Sequence, residues 1–291
     1  QIPMLFMRGI FDRAAEKNIS TLMVQLPPPE TGEEQIREFL SSVIDRLNGV
    51  IHLGHRNFAT DRPLQRLLEY STVPQVFISG YPQYSHIGAV CGDVATGAQS
   101  LCEQLCELGH RNIGIVSNLA AAFDDCNGNI FRYECYDRVK NVLEYFGKYG
   151  FDCRRDWQLY RCESREDIRL KLSKLKELPT VFWCINDETA RLTVEALEEL
   201  GVKVPEEISV VGFDGETRAG MYGGLTTIKL PFYAIGAKSV DLLEEYYEDG
   251  INEKNRTALL PTSLILRGSL LKAPRKPACI RQFPSVSITN N

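Results

Sequence analysis

No apolar run in this chain approaches the roughly 20 residues that a membrane-spanning helix needs. The formal net charge is −5, so the basic face of a free-standing nucleic-acid-binding module is missing. There is no H-E-x-x-H, no G-x-S-x-G, no phosphate loop and no G-x-G-x-x-G. The four histidines, His52, His55, His86 and His110, are dispersed, and His52 and His55 define no metal site without further ligands. The sequence therefore gives no metal, no cofactor and no catalytic set, and no enzyme is expected. The opening residues Gln1-Ile2-Pro3-Met4 lack the basic segment that starts a secretion signal.

Paired cysteine motifs are also missing. The nine cysteines are odd in number and scattered, and none forms C-x-x-C. Cys102 and Cys106 share a helical face at i, i+4, but no His, Asp or Glu in register completes a tetrahedral set. They read as small hydrophobes. Unpaired thiols suit a reducing compartment, so a cytoplasmic location is expected.

What the chain does have is alternation. Residues 4–17 predict a helix and 19–26 a strand, and Thr31 precedes a helical pattern that runs through Leu47 and is stopped by Asn48-Gly49. Short strand patterns at 50–53, 75–78, 87–90, 112–117, 157–161 and 180–185 are separated by helical ones. Pro205-Glu206-Glu207-Ile208-Ser209-Val210-Val211-Gly212-Phe213-Asp214 is the most telling stretch. A proline breaks the preceding helix, an apolar run follows, and the run ends in a carboxylate. A buried parallel strand reads this way when it delivers one polar group to the rim of a sheet. Ligands of open α/β sheets sit at that carboxyl rim, which makes Asp214 a candidate contact; a helix cap or turn is the alternative. A helix from about 232 to 248 and a last strand near 258–266 complete the pattern. Such repeats of strand and helix mean parallel sheets, and there are too many for one ordinary sheet. The tail 270–291, rich in Pro, Ser and basic residues, is expected to leave the compact body.

Several segments occur together in a recognisable order. They are Gly109-His110-Arg111-Asn112-Ile113, Arg132-Tyr133-Glu134-Cys135-Tyr136, Asn186-Asp187 with Ala190, and Leu200-Gly201 with Val204-Pro205-Glu206. Ile208 to Asp214, Leu225-Thr226-Thr227 with Pro231 and Gly236, and Pro261-Thr262 with Arg267-Gly268-Ser269 follow. On these residues the chain resembles the effector-binding domain of the LacI/GalR (lactose-repressor) family of transcriptional regulators.

The resemblance implies an α/β fold of two Rossmann-like, periplasmic-binding-protein-like lobes joined by three crossover segments. The first lobe would hold 1–109 plus 230–249 and the second 112–226 plus 257–269. It implies a small-molecule effector, of carbohydrate type, bound between the lobes, a homodimer, and operator DNA as partner through a helix-turn-helix. No membrane partner is implied. Members begin with that helix-turn-helix, a hinge and a first central strand. The present sequence starts at what reads as the first helix of the first lobe, so a domain without these parts is expected. A solute-binding receptor of a sugar uptake system, or a dimerisation module with a decayed cleft, would share the fold.

The resemblance places Arg132 and Asp214 in the ligand site, the first offering a planar fork of donors and the second accepting hydroxyl hydrogens. For Arg132 a salt bridge to a loop carboxylate is the alternative. Asn186, at a strand end, is expected in the site, with Asp187 assigned as the cap of the following helix. Asp93 precedes a helix and either caps it or contributes from the first lobe. Glu163 and Ser164 stand at a strand-to-helix turn on the ligand side. Gly215, where relatives carry a polar residue, and Cys135, in place of a glycine, depart from the family pattern.

Overall fold

The structure, a computed structural model, describes residues 2–53, 61–69, 73–82, 84, 86–119, 131–215, 224–276, 278 and 280. Of residues 2, 81, 82 and 131–137 it describes the backbone alone. In chain order the elements are α1 (Ile2–Glu16), α2 (Glu33–Val43), β1 (Val50–His52), α3 (Arg62–Glu69), β2 (Gln75–Ile78), β3 (Gly80–Pro82), β4 (Ile87–Asp93) and α4 (Val94–Glu107). Then come β5 (Ile113–Val116), β6 (Phe131–Tyr133), α5 (Glu134–Lys148), β7 (Gln158–Leu159), α6 (Arg165–Leu172), β8 (Val181–Cys184) and α7 (Asp187–Glu199). The last are β9 (Ser209–Asp214), β10 (Thr226–Lys229), α8 (Phe232–Asp249), β11 (Thr257–Pro261) and β12 (Ser263–Ile265).

The chain divides into two compact units. One comprises 1–93, 125–134 and 231–261, and the other 94–124, 135–230 and 262–291.

In the first unit the sheet order is β1-β2-β4-β11, and every pair is parallel. β2 is buried throughout, as a strand covered on both faces must be. α1 presents Phe6, Ile10 and Ala14 inward at helical spacing, and Phe6 meets Phe232 of α8 edge to face at 5.1 Å. β3 and β6 form a separate antiparallel pair whose backbone register sets Tyr81 against Arg132.

The strand expected over 19–26 is not formed. These residues belong to no ladder, and Leu22 and Met23 are 68% and 66% exposed. Apolar, β-prone composition makes a strand only where a neighbouring strand accepts its backbone groups, and none of the described residues does so here.

In the second unit the order is β12-β10-β9-β8-β5-β7. β7, β5, β8, β9 and β10 are parallel, and β12 returns antiparallel to β10. Read in chain order, the parallel strands stand 2-1-3-4-5, so the order reverses between β5 and β8. In doubly wound sheets ligands bind outside the carboxyl ends at that reversal. Phe182, Cys184, Val210, Ile168, Leu172, Ala196 and Leu197 form the core between this sheet and α6 and α7.

Two expectations need correction here. The strand read over 258–266 is two strands broken at Thr262, with β11 in the first sheet and β12 in the second. The tail does not leave the body at 270: Leu270 and Ala278 are buried, and Ile280 packs on the second core. No described helix is long and apolar enough to cross a membrane.

Candidate functional site: the carboxyl rim of the second sheet

The rim is built by the ends of β5, β7, β8 and β9. β9 is buried from Ser209 to Asp214. At its end Asp214 takes φ 109 and Gly215 φ 81, so the chain turns sharply through two positive-φ residues. Gly215 suits this: a Cβ there would stand 2.6 Å from the Lys229 side chain. Asp214 has no such freedom. A non-glycine residue held at positive φ costs free energy, and such residues gather at functional sites.

Behind the turn a buried relay fixes it. The Gly215 N–H donates to Thr227 Oγ1 at 3.2 Å, and the Thr227 hydroxyl donates to Asp187 Oδ1 at 2.6 Å. Gly212 leaves the room this needs, because a Cβ there would lie 2.2 Å from Asp187 Oδ1. The glycine of the Val211-Gly212-Phe213-Asp214 stretch thus admits a carboxylate against the strand.

In front of the turn Asp214 meets Arg138. Nη1 of Arg138 lies 2.8 Å from Asp214 Oδ1, and both side chains are only 12% exposed. The same Nη1 donates to the Ile185 carbonyl at 3.2 Å, and the guanidinium stands 4.2 Å over the Phe213 ring. One arginine of α5 therefore ties the ends of β8 and β9 together. Charged partners in a low-dielectric setting make short, strong hydrogen bonds.

Sequence reasoning missed Arg138. The signal was present: Arg138, Val142 and Phe146 recur every four residues, with Val139 beside them, and these three hydrophobes are at most 1% exposed. An arginine on the buried stripe of a helix demands an acidic partner. Arg161 was missed as well. It lies just past β7 with φ 53, its N–H donates to the Leu119 carbonyl at 2.8 Å, and its side chain is exposed at the same rim.

The residues named from sequence fall as follows. Asp214 is at the rim. Asn186 is the N-cap of α7, its Oδ1 accepting the Thr189 N–H at 2.7 Å, so the cap is Asn186 and not Asp187. The reason is steric and electronic: Asp187 is turned inward to Thr227 and cannot reach back to the helix start. With Oδ1 committed, the Asn186 amide nitrogen is the group that can address a ligand. Ser164 caps α6, sharing a reciprocal box with Asp167, whose pKa the Ser164 hydrogen bonds lower. Glu163, next to it, is exposed. Asp93 ends β4 in the first unit, opposite Pro261 of β11. Arg132 lies in β6, and its side chain is outside the described residues. Among the described residues no cluster of three His, Cys, Asp or Glu could hold a metal.

A family model described as a periplasmic binding protein-like domain matches residues 102–270, more than half of the chain. The transcriptional repressor PurR of Photobacterium profundum is 25% identical over 211 residues, covering 71% of this chain and 60% of the relative. A LacI family transcriptional regulator from Mycobacterium smegmatis shares the fold with TM-score 0.70 at 23% identity, over 92% of this chain and 94% of that one. The chain belongs to the periplasmic-binding-protein-like family, in its LacI/GalR branch.

This LacI/GalR domain is also similar in fold to the lac repressor dimer bound to operator and an anti-inducer, with TM-score 0.71 at 21% identity over 93% of this chain and 90% of that one. A LacI family regulator from Enterococcus faecalis with bound ribose gives TM-score 0.65 at 20% identity over 93% of this chain and 94% of that one. The domain spans only 60% of the length of the Photobacterium relative.

Proposed function

We propose that this LacI/GalR domain is the ligand-sensing part of a cytoplasmic, homodimeric, DNA-binding transcriptional regulator, and that it takes a small sugar-like effector at the carboxyl rim of its second sheet. The observation that carries the reading is Asp214, a carboxylate held at positive φ where the parallel strands end, with Arg138 and Asn186 beside it on the neighbouring elements. A carboxylate accepts hydroxyl hydrogens, an amide nitrogen donates, and Phe213 and Trp183 wall the strands behind them. The Enterococcus neighbour with bound ribose supports a carbohydrate, and the repressor names of the relatives favour a regulator over an uptake receptor or an enzyme.

In such a regulator the effector acts by binding one arrangement of the protein better than another. Its effect on operator affinity is then matched by an equal effect of the operator on effector affinity. The test is calorimetry of the chain against pentoses, hexoses and nucleosides, with Asp214→Asn as control. Binding of one ligand that Asp214→Asn weakens about tenfold or more supports the reading. Binding by none of them, or binding indifferent to Asp214→Asn, overturns it.

A further inference from the structure

Asn48-Gly49, the pair that stops the helical pattern after Thr31, has a chemistry of its own. The backbone nitrogen of a residue that follows asparagine can attack the asparagine Cγ. A five-membered succinimide forms and ammonia leaves. Water then opens the ring at either carbonyl. One opening gives aspartate; the other gives isoaspartate, in which the main chain runs through the former side chain. The net change is amide plus water to carboxylate plus ammonium, and no oxidant or cofactor enters. Glycine in second place favours the attack, because it has no Cβ to shield the nitrogen and turns freely about its backbone. Whether a fold permits the reaction depends on whether the side chain and the attacking nitrogen are held.

At Asn48 neither is held. α2 ends at Val43, a single 3-10 turn runs from Ile44 to Arg46, and the Leu47 N–H closes it on the Ile44 carbonyl at 3.0 Å. Asn48 then stands exposed. Among the described residues no hydrogen bond engages its side-chain amide or the Gly49 N–H. Bonding resumes at Val50, whose N–H donates to the Pro74 carbonyl at 2.9 Å. Other asparagines differ. The nitrogens that follow Asn18, Asn112, Asn118 and Asn255 donate to Ala14, Asp152, Ser117 and Asn252. At Asn186 the side chain itself is bound, to the Thr189 N–H.

We propose that Asn48 is a modification site at which water converts asparagine to isoaspartate without an enzyme, and that the conversion loosens β1. Isoaspartate places one more atom in the main chain directly before a three-residue strand. The turn has no room to absorb it: a Cβ on Gly49 would stand 3.0 Å from the Leu243 side chain of α8 and 3.4 Å from the Pro74 carbonyl. The added length is therefore taken up by β1, whose register sets Val50, Ile51 and His52 against Gln75, Val76 and Phe77.

The experiment ages the full chain, Asn48→Gln and Asn48→Asp at neutral and mildly alkaline pH, folded and in urea. Conversion is read by mass spectrometry of the tryptic peptide 47–56, in which Asn48 is the only asparagine, and by methylation of that peptide with an isoaspartyl methyltransferase. The expected rate in the folded chain rises with pH and lies within about tenfold of the rate in urea, as for a segment whose opening costs little. Asn48→Gln should leave the peptide unmethylated. Hydrogen exchange at Ile51 and His52 should be faster in the aged chain than in the fresh one. Asn48→Asp, which carries the new charge without the rerouted chain, should exchange like the fresh chain. A folded chain that converts more slowly than this overturns the site. Conversion without faster exchange in β1, or equal loosening by Asn48→Asp, overturns the effect assigned to it.

Discussion

Arg138 of α5 and Asp214 at the end of β9 are 2.8 Å apart and equally buried, each 12% exposed. The pair joins elements 76 residues apart in sequence, counted from 138 to 214. Removing one partner of a largely buried ion pair deprives the other charge of that pair, which typically costs about 3–5 kcal/mol. Arg138→Met is therefore expected to lower stability by about that much, and adding Asp214→Leu should restore most of it. Urea midpoints of the two single variants and the double one provide the check. A double variant no better than its singles would mean that the two groups are not coupled.

Thr227 supports the same turn from behind. It is fully buried, accepts from Gly215 and donates to Asp187. Thr227→Val keeps the shape and leaves a partly buried N–H and a buried carboxylate without these bonds. The expected loss is about 1–3 kcal/mol in urea, together with weakened effector binding as Asp214 loses its orientation. Unchanged stability would show that the relay is incidental.

His52 reports on the first unit by pH. Its ring stacks on Phe77 at 4.2 Å, and Nε2 faces Gln75 Oε1 at 2.8 Å. The Gln75 amide nitrogen donates to the Leu67 carbonyl at 2.9 Å, which fixes Oε1 as the acceptor and puts the proton on Nε2. Burial lowers the His52 pKa from 6.5 to about 4. A depressed folded value means that the unfolded chain takes up the proton first. Stability from this group is complete above about pH 6.5 and is lost as pH falls towards 4, amounting to about 3 kcal/mol. In urea titrations over that window His52→Leu should show a flatter dependence than the unaltered chain. Equal slopes would refute the assignment.

His110 holds the tail. Burial lowers its pKa, so the ring is neutral; Nε2–H donates to the Leu271 carbonyl at 2.9 Å and Nδ1 meets the Thr180 hydroxyl at 2.8 Å. Two residues on, the Ala273 N–H donates to the Leu108 carbonyl. His110→Ala should speed hydrogen exchange at Ala273 and trypsin cleavage after Lys272 and Arg275. Unaltered rates at all three sites would mean that the tail is held by Ala278 and Ile280 instead.

Much of this protein was legible before its coordinates. Helix ends carried punctuation, strands carried β-branched runs, and the Ile208-to-Asp214 stretch announced a buried strand delivering a carboxylate. The residues that escaped are those whose roles depend on partners far away in sequence. Arg138 reads as a helix surface residue until its place on the Val142–Phe146 stripe is counted. Asn186 and Asp187 are adjacent, both capable of capping, and only the distant Thr227 decides between them. The segment 19–26 has every local mark of a strand, but strand formation is decided by a neighbour, and local composition does not supply one. The tail was misjudged because Pro, Ser and Lys speak for solvent, while Ala278 and Ile280 find an apolar surface that only the fold creates.

The bare stretch around Leu22 and Met23 has a practical outcome. β1 is the outermost strand of the first sheet among the described residues, and strands at sheet edges are where further chains can add. Aliphatic chain in the same unit, lying in water, is an adhesive for further copies. Light scattering from a preparation of residues 1–291 should therefore climb steeply with concentration, and lysines in place of Leu22 and Met23 should keep it clear.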